Sequence, residues 1–224
     1  MHRPGLARLL GRFCAALALA AGLWGVDAVA LDQGGGEIIQ HATSRYGARG
    51  GQMAKRWVDT LDQEQGQPER DKLTRINSFW NQNVRGVENI DLWHKEDYWA
   101  TPIETLGLAA GDCKAYVIGK YVSLRKLGVP SEKLRFVYVR ARVGGAQLAH
   151  MVLGYYATPT SVPLVLDNLV GQIMPASDRP DLTPVFSFNA EGVYINGQRA
   201  APIDRIGRWR ELLQRMQAEG ITLQ

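Results

Sequence analysis

An α/β fold of the α+β kind, with helices first and an antiparallel sheet after them, is what this 224-residue sequence predicts. Three observations predict it. Residues 37–86 carry apolar side chains at helical spacing, and a second helical pattern follows at residues 113–127. Three strand-like runs come next, at residues 134–143, 147–156 and 162–170, with turn residues between them.

The elements follow in chain order. Arg3, Arg8 and Arg12 precede an apolar run from Phe13 to Val26 that ends in Ala28-Val29-Ala30. This pattern reads as a cleavable signal peptide over residues 1–30, because the run is shorter than the roughly 20 residues a spanning helix needs and closes on a small-x-small processing site. One domain, residues 31–224, remains, and it is long enough to bury a core without disulfides. With no twin-arginine pair, the expected route is general secretion to a bacterial periplasm. Cleavage removes Cys14 and leaves Cys113 as a lone thiol in an oxidising compartment, where such a thiol is a liability unless used.

Within residues 37–86, Leu73, Ile76, Trp80 and Val84 mark one helical face, while the glycines of 47–51 and the stretch 66–68 supply breaks. After Trp93 the chain reads as a looser, aromatic wall for a cleft, through Tyr98, Trp99 and Pro102. Val117, Tyr121 and Leu124, with Ile118 and Val122 beside them, define an amphipathic helix. Asp112 is its N-cap, and Gly128 and Pro130 stop it. Near the C-terminus, Val193-Tyr194-Ile195 enters a tight turn at Asn196-Gly197. A last amphipathic helix follows Asp204, built on Trp209, Leu212, Leu213 and Met216, with Arg205, Arg208 and Arg210 as solvated positions.

Chemistry concentrates on three residues. Cys113 opens a helix, where unsatisfied backbone N–H groups favour a thiolate and can donate to an oxyanion. His150 and Asp167 are ionisable groups inside apolar runs, and each is the partner the other needs. A hairpin centred on Thr158-Pro159 sets His150 directly opposite Asp167, so that both point to one face. Cys, His and Asp in that order suggest a thiol enzyme with nucleophile, general base and orienting carboxylate. His2 lies in the leader, and His41 and His94 read as surface residues. No metal-ligand spacing argues for a zinc enzyme. Three of the 26 basic residues and one of the 22 acidic ones sit in the leader, so the rest of the chain is nearly balanced and carries no basic stripe for nucleic acid.

The segment from Trp99 to Glu104, then Gly111-Asp112-Cys113, His150-Met151-Val152-Leu153 and Leu166-Asp167-Asn168, resembles the bacterial transglutaminase-like cysteine proteinase family. The resemblance implies a papain-like, transglutaminase-like fold and a triad of Cys113, His150 and Asp167. It implies cleavage of a large surface adhesin near its N-terminus at a di-alanine site, releasing cells from a biofilm. It also implies restraint by the periplasmic domain of an inner-membrane cyclic di-GMP receptor. Members of the family bind calcium through acidic residues flanking the cysteine, which makes Asp112 a possible calcium ligand. Lys114 stands where a second acid is expected, so weak or absent calcium binding beside Cys113 is the expectation. Two other readings stay open: an amidase or transglutaminase-type acyl transferase using the same three residues, and a non-catalytic periplasmic binding protein.

Overall fold

Helix follows helix from Val26 to Lys126, and strand follows strand from Leu134 to Ala201, in the order the sequence predicts. The computed structural model describes residues 26–223 except Asn196, and side chains from residue 34 onward except that of Asp204. The leader expected at residues 1–30, with His2 and Cys14, falls largely outside the described residues. Among them, no helix is long and apolar enough to cross a membrane.

Helix α1 (Val26–Glu64) kinks at Gly47, whose φ of 69° only glycine adopts freely, and then resumes. The expected break at 47–51 is therefore a bend rather than a loop. Gly66 and Pro68 separate α1 from α2 (Glu69–Asn83), which buries Leu73, Ile76 and Trp80. Next come β1 (Arg85–Gly86) and α3 (Asn89–Trp93). The stretch expected to be loose contains α4 (Pro102–Leu108), with Pro102 at its first position. The Thr101 hydroxyl accepts from the Glu104 N–H at 3.1 Å, and the Glu104 carboxylate accepts from the Thr101 N–H at 2.9 Å. Thr-Pro-Ile-Glu is thus a capping box that the sequence displays in full.

A two-residue strand, β2 (Ala110–Gly111), pairs in parallel with β1 and leads into α5 (Cys113–Lys126). The expected amphipathic α5 is instead enclosed, for every residue from Ala115 to Leu124 is buried. It packs against α2, α4 and the sheet, so its polar face has no solvent to meet. Ser123 is satisfied internally: its hydroxyl accepts from Trp57 and Trp80 Nε1 at 2.8 and 3.0 Å and donates to the Gly119 carbonyl at 2.6 Å.

The sheet comprises β3 (Leu134–Val143), β4 (Ala146–Tyr155), β5 (Leu164–Leu166), β6 (Met174–Pro175), β7 (Leu182–Asn189), β8 (Gly192–Ile195) and β9 (Gln198–Ala201). Its order is β6-β5-β4-β3-β7-β8-β9, with every pairing antiparallel. Gly144 and Gly145, both at positive φ, close the β3–β4 hairpin as expected. Strand β7, which the apolar runs did not announce, lies beside β3, and its Pro184 sits where the register shifts at Val139. Phe136 of β3 stacks on Phe188 of β7 at 4.8 Å, with the Trp209 ring edge-on at 5.3 Å. Trp209 belongs to α6 (Gly207–Ala218), which closes the core.

Candidate active site

Cys113 is the first residue of α5, and Asp112 caps that helix by accepting from the Ala115 N–H at 3.1 Å. Gly111 is required here, because a Cβ would lie 2.5 Å from that of Ala115. The tight approach sets the thiol at the edge between helix and sheet. Cys113 is a free, half-buried cysteine, and it is near enough to His150 to help raise the pKa of that imidazole.

His150, 3 % exposed, points from β4 toward the N-terminus of α5. Its Nε2 lies 2.7 Å from Asp167 Oδ1; since the carboxylate only accepts, Nε2 carries the proton and Nδ1 is left for the sulfur. Burial works against the charged imidazole, but hydrogen bonds to Asp167 and Cys113, and the charges of both, outweigh it and push its pKa up to about 9. Asp167 is almost wholly buried. Its burial is outweighed by His150, by Arg179 and by the Leu169 N–H, and its pKa falls to about 2.

The expected register needs correction. Leu153 faces Leu166 and Tyr155 faces Leu164, so the hairpin is shifted by two residues and His150 is not directly opposite Asp167. The cause lies in the connection: a turn from Thr158 to Ser161, closed by the Ser161 N–H on the Thr158 carbonyl at 3.1 Å, keeps 161–163 out of the ladder. Strand β5 ends at Leu166, and Asp167 then accepts from the Leu169 N–H at 3.1 Å in a local turn. Because the shift is even, the two side chains keep the same face and meet diagonally.

Several neighbours carry no signal in the sequence. Arg179 donates Nη2 to Asp167 Oδ2 at 2.8 Å, and the same nitrogen reaches Asp181 at 2.7 Å. Asn81 of α2 donates to the Asp167 main-chain carbonyl at 2.8 Å. Arg179 sits in an ordinary polar segment, Asp178-Arg179-Pro180-Asp181, so nothing local marks it. Of the remaining histidines, His94 is exposed as expected, whereas His41 is half-buried.

Lys114 bonds Asp112 Oδ2 and lies 3.8 Å from Asp97 Oδ1, whose other oxygen meets Arg208 at 3.3 Å. Burial alone would lower the Lys114 pKa, but Asp112, and behind it Cys113, raise it. A divalent cation beside Asp112 would have to expel an ammonium already seated there. Among the described residues no group of three or more His, Cys, Asp or Glu side chains is placed to hold a metal ion. Beside Cys113 the acidic oxygens of Asp112 and Asp97 already face the Lys114 ammonium, which calcium would have to displace.

Comparison with known proteins agrees with this geometry. Residues 50–181 match the family model of the bacterial transglutaminase-like cysteine proteinases. Among solved structures, Legionella pneumophila LapG is 36% identical with a TM-score of 0.72, over 81% of this chain and 97% of that one. The calcium-bound form of Legionella pneumophila LapG is 37% identical with a TM-score of 0.70, over 81% and 98%. No curated protein matches the chain. A helix-borne thiol beside a sheet-borne imidazole, on a fold shared with LapG and within the span of the family model, makes this chain a member of the bacterial transglutaminase-like cysteine proteinases.

Proposed function

We propose that this chain is a periplasmic cysteine endopeptidase, exported by the leader at residues 1–30, that cuts the N-terminal region of a large surface adhesin at a di-alanine-type site and so releases cells from a biofilm. The observation that carries the reading is the buried His150–Asp167 pair, 2.7 Å apart, with Cys113 at the start of α5 acting on the same imidazole. Family membership supports peptide cleavage, and the substrate class is what the family resemblance of the sequence implies. By the same likeness, the periplasmic domain of an inner-membrane cyclic di-GMP receptor is the restraining partner.

In this reading each residue has one step. The Cys113 thiolate adds to the scissile carbonyl, and the negative oxygen faces backbone N–H groups in the first turn of α5. His150, charged while it pairs with the thiolate, gives its proton to the departing amine and then takes one from the water that cleaves the thioester. Asp167 keeps the imidazole in one tautomer, and Arg179 keeps Asp167 ionised.

The test is to incubate the protein lacking residues 1–30 with N-terminal adhesin fragments from the same cell and read cut sites by mass spectrometry. One cut at an Ala-Ala bond, absent with Cys113→Ala, is the expected result; intact fragments would sink the peptidase reading. Acyl transfer is the second reading, since a thioester partitions between water and amines. An added primary amine that becomes covalently joined to the fragment would favour it.

A further inference from the structure

Buried polar atoms on α5, on α2 and just after Asp167 have no part in the reaction as described. Lys120 follows Cys113 by seven residues on α5, two turns along the same face, and its side chain has no exposure. Its Nζ has no hydrogen-bond partner among the described residues, and the nearest aromatic company is the Tyr116 ring, 6.0 Å from nitrogen to centroid. Asp167 is the charged group that acts on it.

Three amide oxygens share its condition. Asn77 and Asn81, one turn apart on α2, use their Nδ2 atoms to hold the main-chain carbonyls of Gly171 and Asp167, both at 2.8 Å. Their Oδ1 atoms, and that of Asn168, are buried with no partner among the described residues. The three amides are thereby tied to one segment, residues 167–171, which begins with Asp167, the carboxylate that holds His150 and the charge that acts on Lys120, while α2, which carries Asn77 and Asn81, packs on α5, which carries Lys120. Proteins leave few such groups unmet, and ordered water bridges those that protein atoms do not reach.

We propose that Lys120 is a positioning residue of the thiol site: through bound water its amine joins the Asn77, Asn81 and Asn168 amide oxygens and holds the 167–171 segment, and with it Asp167, against α2 and α5. This rests on the reading of Cys113, His150 and Asp167 as a working triad. A structural role alone accounts poorly for the choice of residue, because a methionine of the same length would fill the space without an unpaired amine. Burial lowers the lysine pKa to about 7, partly offset by Asp167, so the amine costs stability. The sign follows from the ordinary value of 10.5: the cost is full below about pH 7 and disappears as pH rises toward 10.5.

The experiment compares the chain lacking residues 1–30 with its Lys120→Met and Lys120→Gln variants, by thermal melting across pH, alkylation of Cys113 by iodoacetamide and NMR titration of the His150 ring. Lys120→Met should melt higher than the parent near pH 6, with the gain shrinking toward pH 10. Its Cys113 should alkylate about tenfold more slowly, and the His150 pKa should fall as Asp167 loosens its hold. Glutamine, which can still bond water, should recover most of the alkylation rate. Unchanged alkylation and an unchanged His150 titration in Lys120→Met would overturn the proposal, as would a melting point lowered at every pH. A parent protein whose Cys113 reacts no faster than a free thiol near pH 6, with a His150 pKa near that of free histidine, would instead remove the triad reading itself.

Discussion

Cys113 belongs to the helical half of the molecule and His150 with Asp167 to the sheet half, and the two halves hold their residues by different means. The cysteine is placed by its immediate neighbours: Asp112 caps the helix, Gly111 permits the tight approach to Ala115, and Lys114 bonds Asp112. The main longer-range ties of that turn run through main-chain groups, in the pairing of β1 with β2 and in the Tyr116 hydroxyl on the Val84 carbonyl. The imidazole and its carboxylate depend on residues far along the chain, with Arg179 on one Asp167 oxygen, Asn81 on its carbonyl and β3 beside His150. A locally built site tolerates loss of its functional atom; a site assembled from distant parts fails when one charge is removed.

The largest expected effect tests the helical half. Cys113→Ala should abolish turnover, by ~10³-fold or more, while leaving the melting temperature within ~2 °C. Measurable cleavage by this variant would end the thiol mechanism, and a large loss of stability would show that the first turn is less self-sufficient than its cap implies.

Asp167→Asn probes the sheet half, and both readouts should move. Turnover should fall ~10²-fold or more, because the amide can leave His150 in the wrong tautomer. Urea denaturation should show a loss of ~3 kcal/mol, since the buried Arg179 guanidinium loses the charge of one of its two carboxylate partners. Arg179→Met should lower activity as well, by freeing the carboxylate. Equal stability of Asp167→Asn and the parent would erase the contrast between the halves.

A pH series sharpens the same contrast. The His150 pKa in the folded protein, about 9, lies above its ordinary 6.5, so its contribution is fully present below pH 6.5 and is lost as pH rises through 9. The parent should therefore lose part of its stability across that window relative to His150→Gln. Parallel pH curves for the two proteins would show that the imidazolium is not held by Asp167 and Cys113.

The smallest effect is expected for calcium. Chelator-treated protein, titrated with calcium by calorimetry, should give no stoichiometric heat, and its melting temperature should not move, because Lys114 already neutralises Asp112. Tight binding that disappears in Asp112→Ala would show that the ammonium yields to the cation.

Much of this was legible beforehand because it is local. Strand-like apolar runs marked β3 and β4, paired glycines marked their turn, and a Gly-Asp pair before Cys113 marked the helix start. The capping box at Thr101 to Glu104 was equally legible, though the aromatic residues before it suggested a loop. Strand β7 was not, since a central strand carrying Pro184 shows neither clean alternation nor an unbroken apolar run.

By itself the sequence determined the order of helices and strands, the cap beneath Cys113 and the parity that turns His150 and Asp167 to one face, because these depend on backbone preferences and side-chain periods within a few residues. Tertiary structure alone decided the two-residue register shift, the choice of Arg179 as the cation on Asp167 and the enclosure of Lys120. Those depend on where distant segments come to rest, and an arginine in a polar loop or a lysine on a helix looks the same in sequence whether it ends in water or against a buried carboxylate.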